Sequence, residues 1–398
     1  MKRAVWVGIS ALVALAALGA GTMAFLREPS ESGDGDRSPT PSTDTAAPSS
    51  APPAAEQIPT LLVWTSGGLP PGLAEQVGTL PGVARTTVVR GDLVDLVATI
   101  DANGMPVDTV PTGMRIPLDA FAVDPAGYAT FASGADRDAL ARLQPGEAIL
   151  GETSARLRRL GPGGVLELAN GARVVVAGVV DDESVGAAEL VVATSSAAAV
   201  GIDTPRFLLV AHSGDRAALE TALAPLLPDG PVRFRAGGET PFLRHADLVL
   251  PQSLVKERFG EFAYRPGADR FVDVDPAYEA AHIVSAPVPI LGSVTCHREV
   301  IAALEGALRE LEERGLASLV DPAGYQGCFV PSVIPGSGGV SRHSWGIAID
   351  VNFLPNPSGL GSFADPQLEE VMERWGFVPG SRFINTDPGH FEYVRPPM

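Results

Sequence analysis

An uncharged run from Ala4 to Leu26, AVWVGISALVALAALGAGTMAFL, constrains this chain more than any other stretch. At about 1.5 Å per residue, a helix of that length spans a hydrocarbon core of roughly 30 Å. Lys2 and Arg3 precede it, and a positive flank of this kind stays in the cytoplasm while the rest is exported. The expectation is an N-terminal transmembrane helix over residues 1–27, single-pass in the cell membrane, with the bulk of the chain extracytoplasmic. The competing reading is a cleaved signal peptide and a secreted protein. The run is long for that role, and its small-x-small sites are weak. No cysteine follows it, which argues against a lipid anchor.

Residues 28–58, EPSESGDGDRSPTPSTDTAAPSSAPPAAEQI, hold almost nothing that could build a core. Tracts of Pro, Ser, Thr and Ala stay disordered and extended, which suits a tether across a cell envelope. The net charge of −18 argues against nucleic acid as a partner, because phosphate binding needs clustered Lys and Arg. Lysine occurs only as Lys2 and Lys256. The 2 cysteines, Cys296 and Cys328, read as a disulfide in an exported protein, since neither has a neighbour at zinc-ligand spacing.

From residue 59 to 240 the pattern predicts an α/β extracytoplasmic module. TLLVW reads as a strand, PGLAEQVGTL as a helix and GVARTTVVR as a strand; RFLLVAH, DRAALETALAPLL and GPVRFRAG repeat the unit. Two strand–helix–strand halves imply a ferredoxin-like layer. Between them lies a small β insert, in which VLELANGARVVVAGVV places Asn170-Gly171 at a two-residue type I′ hairpin turn. The stretch ILGETSARLRRLGPGGVLELANGARVVVAGVVDD resembles the extracellular domain of bacterial ABC-type permeases. No titratable cluster stands out here, so the module reads as a spacer or a surface for an envelope protein partner.

Residues 246–398 form the second folded region, expected to be α+β. Val300, Ile301, Leu304, Leu308 and Leu311 share one face of a helix ended by Gly315. A further helix has Asp365 as N-cap, Pro366 at N1, a stripe of Leu368, Val371, Met372 and Trp375, and Gly376 after its end. In SRHSWGIAIDVNF, strand alternation sends Ile347, Ile349 and Val351 to one face and Asp350 to the other, with His343 in the preceding turn. In DPGHFEYV, Phe391 and Tyr393 face a core while His390 and Glu392 share the opposite face. A His-Asp-His set with a fourth position open is the arrangement of catalytic zinc.

These two segments carry a resemblance. SRHSWGIAID fits the pattern S-x-H-x-x-G-x-A-x-D, and DPGHFEY fits D-x-x-H-F-E, of the D-alanyl-D-alanine carboxypeptidase-like zinc peptidases (peptidase family M15, with a VanY-type core). The likeness extends through TCHREV, GCFVPS and VKERFGEFAYR, over roughly residues 246–393. It implies an α+β peptidase domain with its metal site on an antiparallel sheet. It assigns Zn2+ to His343, Asp350 and His390, and the general base and acid to Asp387. Ser341, Arg342, Ser332 and Glu392 fall to substrate contact or to support of the ligands.

The resemblance implies a membrane-anchored zinc metallopeptidase that hydrolyses peptidoglycan stem peptides as a D-alanyl-D-alanine carboxypeptidase. Two departures stand against it. The family pattern near GCFVPS is closer to C-Y-x-P-R, and this chain has Ser332 where the arginine would stand, with Arg342 or Arg382 as substitutes. GFVPGSRF also replaces a Trp-Gly-Gly-like stretch. The alternative is a catalytically impaired peptidase-like module that binds cell-wall peptide or a membrane partner.

Overall fold

Ten strands of the first region join one large sheet. They are β1 (Thr60–Thr65), β2 (Val83–Ile100), β3 (Pro106–Thr109), β4 (Ile116–Val123), β5 (Glu147–Gly151), β6 (Val165–Leu168), β7 (Arg173–Val180), β8 (Leu190–Ala193), β9 (Pro205–His212) and β10 (Val232–Ala236). The computed structural model describes residues 59–132, 134–240, 242–245, 250–334, 339–353 and 365–395. The apolar run and the tether fall outside them, and no helix among the described residues is long and apolar enough to cross a membrane.

The strand order begins β10-β1-β9-β2, antiparallel throughout, with helices Leu73–Gly78 and Arg216–Leu223 as the two crossovers. Two interleaved βαβ units produce that order, as the repeated pattern in the sequence implies. Leu61, Val63, Leu208 and Val210 face Leu73, Val77, Leu219 and Leu223 in one core beneath these helices.

The insert is not small. β2 continues past β9 and pairs with β4; the order then runs β4-β8-β5-β7-β6, and β6 returns to β2. Six strands thus close a ring, which removes the free edges that a short insert would expose. Leu96, Leu118, Leu150, Leu166, Val176 and Val192 lie in the core cluster of this ring. Gly91 sits where β2 passes from one sheet partner to the next. A Cβ there would come within 3.1 Å of the Phe121 ring and 3.2 Å of Arg206 Cγ, so the crossing needs a residue without one.

The β6–β7 hairpin differs from expectation. Gly171 N–H donates to Leu168 O (2.9 Å) and Leu168 N–H to Ala172 O (2.8 Å), with Gly171 at φ 86°. Asn170 is not among the residues with positive φ, which a type I′ turn would require. The loop is a three-residue turn that ends in a left-handed glycine, the next most favoured hairpin connection.

The second region has its own core, from Val255 to Tyr393. Helix Arg298–Glu313 buries Val300, Ala303, Leu304, Ala307, Leu308 and Leu311; helix Pro366–Arg374 buries Leu368, Val371 and Met372. Asp365 accepts a hydrogen bond from Gln367 N–H (2.8 Å) as its cap. Two short ladders, β11 (Tyr264–Pro266) with β12 (Val272–Val274) and β13 (Ile283–Val288) with β14 (Gly292–His297), precede a three-stranded antiparallel sheet. Its order is β15-β17-β16, from β15 (Ala348–Asp350), β16 (Phe377–Pro379) and β17 (His390–Tyr393). Cys296 and Cys328 are bonded, with Cα atoms 5.2 Å apart.

Residues 56–398 form one compact unit. Helix Gln252–Phe259 lies against the ring and carries the contact. Lys256 is 1% exposed; its ammonium donates to Glu189 (2.7 Å), to Glu261 (3.0 Å) and to Pro117 O. Gln252 donates to Pro117 O (3.0 Å) and to Glu189 (2.7 Å), and Ser253 Oγ to Ala187 O (3.0 Å). Arg115 and Tyr264 exchange both backbone hydrogen bonds, at 2.9 and 2.8 Å. A buried charge held this way is costly to leave unpaired, so these contacts fix one region against the other.

Candidate metal centre and its cleft

The antiparallel register sets Asp350 directly opposite His390, one strand over. Such a pair stands about 4.5–5.5 Å apart at Cβ, close enough to share a ligand. Ile349 and Phe391 point to the core on the other face. His343 arrives from the 3₁₀ turn Arg342–Trp345, whose cap is Ser341: its Oγ accepts from His343 N–H at 3.3 Å. Gly346 ends that turn at φ 67°, and a Cβ there would meet His297 N at 2.7 Å. The sharp reversal, which only glycine fits, feeds the chain straight into β15.

The three side chains converge. One ligand atom from each of His343, Asp350 and His390 lies within 4.8 Å of the other two. Asp350 Oδ1 is 3.2 Å from His343 Nε2 and 2.9 Å from His390 Nδ1. The outer nitrogens decide what these contacts mean. His343 Nδ1 is 3.0 Å from Cys328 O, and a carbonyl can only accept, so Nδ1 carries the proton. His390 Nε2 is 3.4 Å from Glu392 Oε1, which likewise asks for a proton there. Neutral imidazoles held in this way aim two lone pairs at a carboxylate oxygen. Three acceptors facing one another need a cation between them, and this donor set of two imidazoles and one carboxylate fits zinc.

Without a metal, a proton takes that place. Burial works against a charge on His390, yet hydrogen bonds to Asp350 and Glu392 outweigh it and push the imidazole up to about 10. Burial would raise the Asp350 carboxyl, but the His343 and His390 contacts hold it well below the usual carboxylate range. The disulfide bears on the same geometry. Cys328 presents the carbonyl that orients His343, and Gly327 pairs with Asp350 across an isolated bridge.

The cluster forms one wall of a cavity of about 710 Å3. Asp387, Glu392, Ser341, Ser332 and Arg342 line it as well, so these expected site residues share one space with the three candidate ligands. Asp387 is anchored by its backbone, its N–H donating to Gly380 O (2.9 Å) and its O accepting from His390 N–H (3.0 Å). Ser332 is 4% exposed and is clamped by Ser344, whose Oγ accepts from Ser332 N–H (2.9 Å) and donates to Ser332 O (3.0 Å). Arg382 stands apart from the cavity, mostly exposed and paired with Glu373.

The other lining residues come from the first region and from the connector that follows it. Trp64, Asp92, Leu93, Asp119, Arg206, Arg244 and His245 all line the cavity. Asp92 pairs with Arg206 at 2.7 Å, and Arg244 pairs with Asp119 and donates to Gly186 O at 3.2 Å. The sequence pattern shows no titratable cluster there because these residues are dispersed over β2, β4, β9 and the connector, and only the fold gathers them. Arg-His in a connector that otherwise reads apolar and polar by turns was the one local signal.

Comparison with curated proteins gives no match. Residues 335–393 match the family described as D-alanyl-D-alanine carboxypeptidase. That span is shorter than residues 246–393, over which the resemblance was read, but it includes all three candidate ligands and Asp387. Among solved structures, the periplasmic region of MacB from Actinobacillus actinomycetemcomitans is 13% identical, with a TM-score of 0.30 over 44% of this chain and 87% of that one. The extracellular domain of the noncanonic ABC-type transporter YknZ from Gram-positive bacteria is also 13% identical, with a TM-score of 0.29 over 43% of this chain and 93% of that one. The longest match covers more than the permease-like stretch singled out in the sequence: residues 4–226, over half of the chain, match the MacB-like periplasmic core domain, and the chain belongs to that family.

Proposed function

We propose that this chain is an extracytoplasmic zinc metallopeptidase, tethered to the membrane, that removes D-alanine from peptidoglycan stem peptides. The observation that carries this reading is the meeting of three acceptors, His343 Nε2, Asp350 Oδ1 and His390 Nδ1, in a cavity with a further carboxylate, Asp387. His343, Asp350 and His390 would hold the metal. A bound zinc ion supplies Lewis-acid activation of water and of the scissile carbonyl.

The chain's own residues do the rest. Asp387 accepts the proton from the attacking water and returns it to the leaving amine. Cys328 O and Glu392 keep the two imidazoles in the tautomers that present lone pairs inward.

The MacB-like region accounts for more of the chain than the peptidase-like segment, and Ser332 stands where the family pattern has arginine. Those two observations favour a second reading, a peptide-binding module with impaired hydrolysis. The separating experiment incubates the purified chain with zinc and a pentapeptide ending in D-alanyl-D-alanine, and assays free D-alanine. Zinc-dependent release is expected. Peptide binding without release, at full zinc occupancy, supports the second reading instead.

A further inference from the structure

The candidate base, Asp387, stands at the foot of a loop, residues 380–387, that links β16 to β17. The loop closes on itself: Asp387 N–H donates to Gly380 O at 2.9 Å, and Phe383 N–H donates to the same oxygen at 3.0 Å. A Cβ on Gly380 would come within 2.5 Å of Asp387 O and 3.1 Å of His390 Cβ, so the closure needs glycine. Packing this close passes a displacement of the loop's tip on to its foot. The loop begins within GFVPGSRF, where the chain departs from the peptidase pattern.

The first region holds that tip. Ile384 is half-buried and packs against the core cluster of Trp64, Phe121 and Phe207, all within the MacB-like match. On β10, just past that match, Arg233 Nη2 donates to Arg382 O at 3.0 Å. Leu93 of β2 crosses the other way and packs against the core of the second region. Trp64, Leu93, Phe383, Ile384 and Asp387 line the same cavity. Phe383 lies 5.8 Å from the His390 ring, but that imidazole is set by the register of β17 on β15 and by Asp350 at 2.9 Å. The metal ligands are therefore placed within their own region, and the loop with the base is not.

We propose that the first region positions the base: Ile384, seated on its core, and Arg233, bonded to Arg382 O, hold residues 380–387 where Asp387 enters the cavity of the metal centre. Ile384 and Arg233 are positioning residues that act through Asp387. The first region is then a working part of the peptidase rather than a spacer. The inference rests on the peptidase reading for what Asp387 does, but not for the contact that holds the loop.

The test compares the full wild-type chain with Ile384→Ala, Ile384→Val and Arg233→Ala, all loaded with zinc. It measures hydrogen–deuterium exchange, zinc content, and D-alanine release from a pentapeptide ending in D-alanyl-D-alanine. In Ile384→Ala the amides of residues 383–390 should exchange about tenfold or more faster, because the bonds to Gly380 O open more often. Exchange in helix Arg298–Glu313 and zinc content should not change. The kcat should fall about tenfold or more with KM nearly constant, as for a displaced reacting group. Ile384→Val keeps a branched apolar contact and should restore both readings most of the way. Arg233→Ala, which removes no core side chain, should shift both in the same direction by a smaller factor, and it decides the matter where Ile384→Ala does not fold. Unchanged exchange of residues 383–390 in both alanine variants overturns the proposal. So does a change in KM alone, which would make Ile384 a substrate contact. Faster exchange in the variants, with no D-alanine released by the wild type, keeps the positioning contact and removes the peptidase reading. Release with an unchanged kcat in both alanine variants does the reverse.

Discussion

The two regions treat charge in opposite ways. In the MacB-like region each acid that lines the cavity is paired with a cation: Asp92 with Arg206, and Asp119 with Arg244 of the connector. On the peptidase-like wall of the cavity the groups are not matched in this way. Two imidazoles and Asp350 converge on one another, and buried Arg342 makes no ion pair among the described residues. Matched pairs hold a fold together, whereas unmatched ones point to a missing ligand. The larger region fixes the family, but the chemistry gathers in the shorter one.

The largest effect should come from Asp387. Asp387→Asn should lower turnover by about 10²–10⁴-fold while zinc content stays the same, if the residue acts as the proposed base and not as a ligand. Turnover that is unchanged, or zinc that is lost, would move Asp387 to a different role. The contact between regions comes next. Lys256→Met leaves Glu189, fully buried, without its ammonium partner, and should cost about 3–5 kcal/mol in urea unfolding. A separate early transition of residues 246–398 alone would show instead that the two regions are energetically independent.

The disulfide belongs to the peptidase-like region only. Its sequence separation of 32 gives a stabilisation of about 3–4 kcal/mol, so a reductant should lower the unfolding midpoint. It should also weaken zinc retention, because Cys328 O orients His343. An effect on stability without one on zinc would separate the bridge from the site.

The least visible effect at neutral pH is the pH dependence of His245, which develops only as the solution is acidified. Burial pushes this imidazole down to about 3, with Arg244 adding to the shift and Asp119 opposing it. The unfolded chain therefore binds a proton that the folded chain refuses. Stability should fall as pH drops below about 6.5 towards 3, by about 1.4 kcal/mol per unit for this group. Burial lowers His297 in the same direction, to about 4, so the measured slope in thermal unfolding sums both. His245→Phe, which keeps the stacking on Phe207, should flatten part of that slope; an unchanged slope would assign it elsewhere.

Local signals were readable in the sequence, and gathered ones were not. Asp365, Pro366 and Gly376 punctuate a helix within a dozen residues, and alternation alone places Asp350 and His390 off the core face. The ring in the first region was hidden because its closure joins β2 to β6, a long-range pairing with no mark in either segment. Asn170-Gly171 was readable as a turn but not as its type, since Gly171 alone takes the positive φ. Lys256 looked like part of a peptidase motif; it pins that region to the MacB-like ring through Glu189. Arg244 and Asp119 reach the cleft only through the tertiary fold.

Metal content tests the central claim most directly. The purified full chain, dialysed against zinc and then freed of excess, should retain about one zinc per chain. His343→Ala and His390→Ala should each lose most of it, whereas Arg206→Gln in the MacB-like wall should retain it. A wild-type chain that holds no zinc, or histidine variants that hold it fully, would contradict the assignment of the centre to His343, Asp350 and His390.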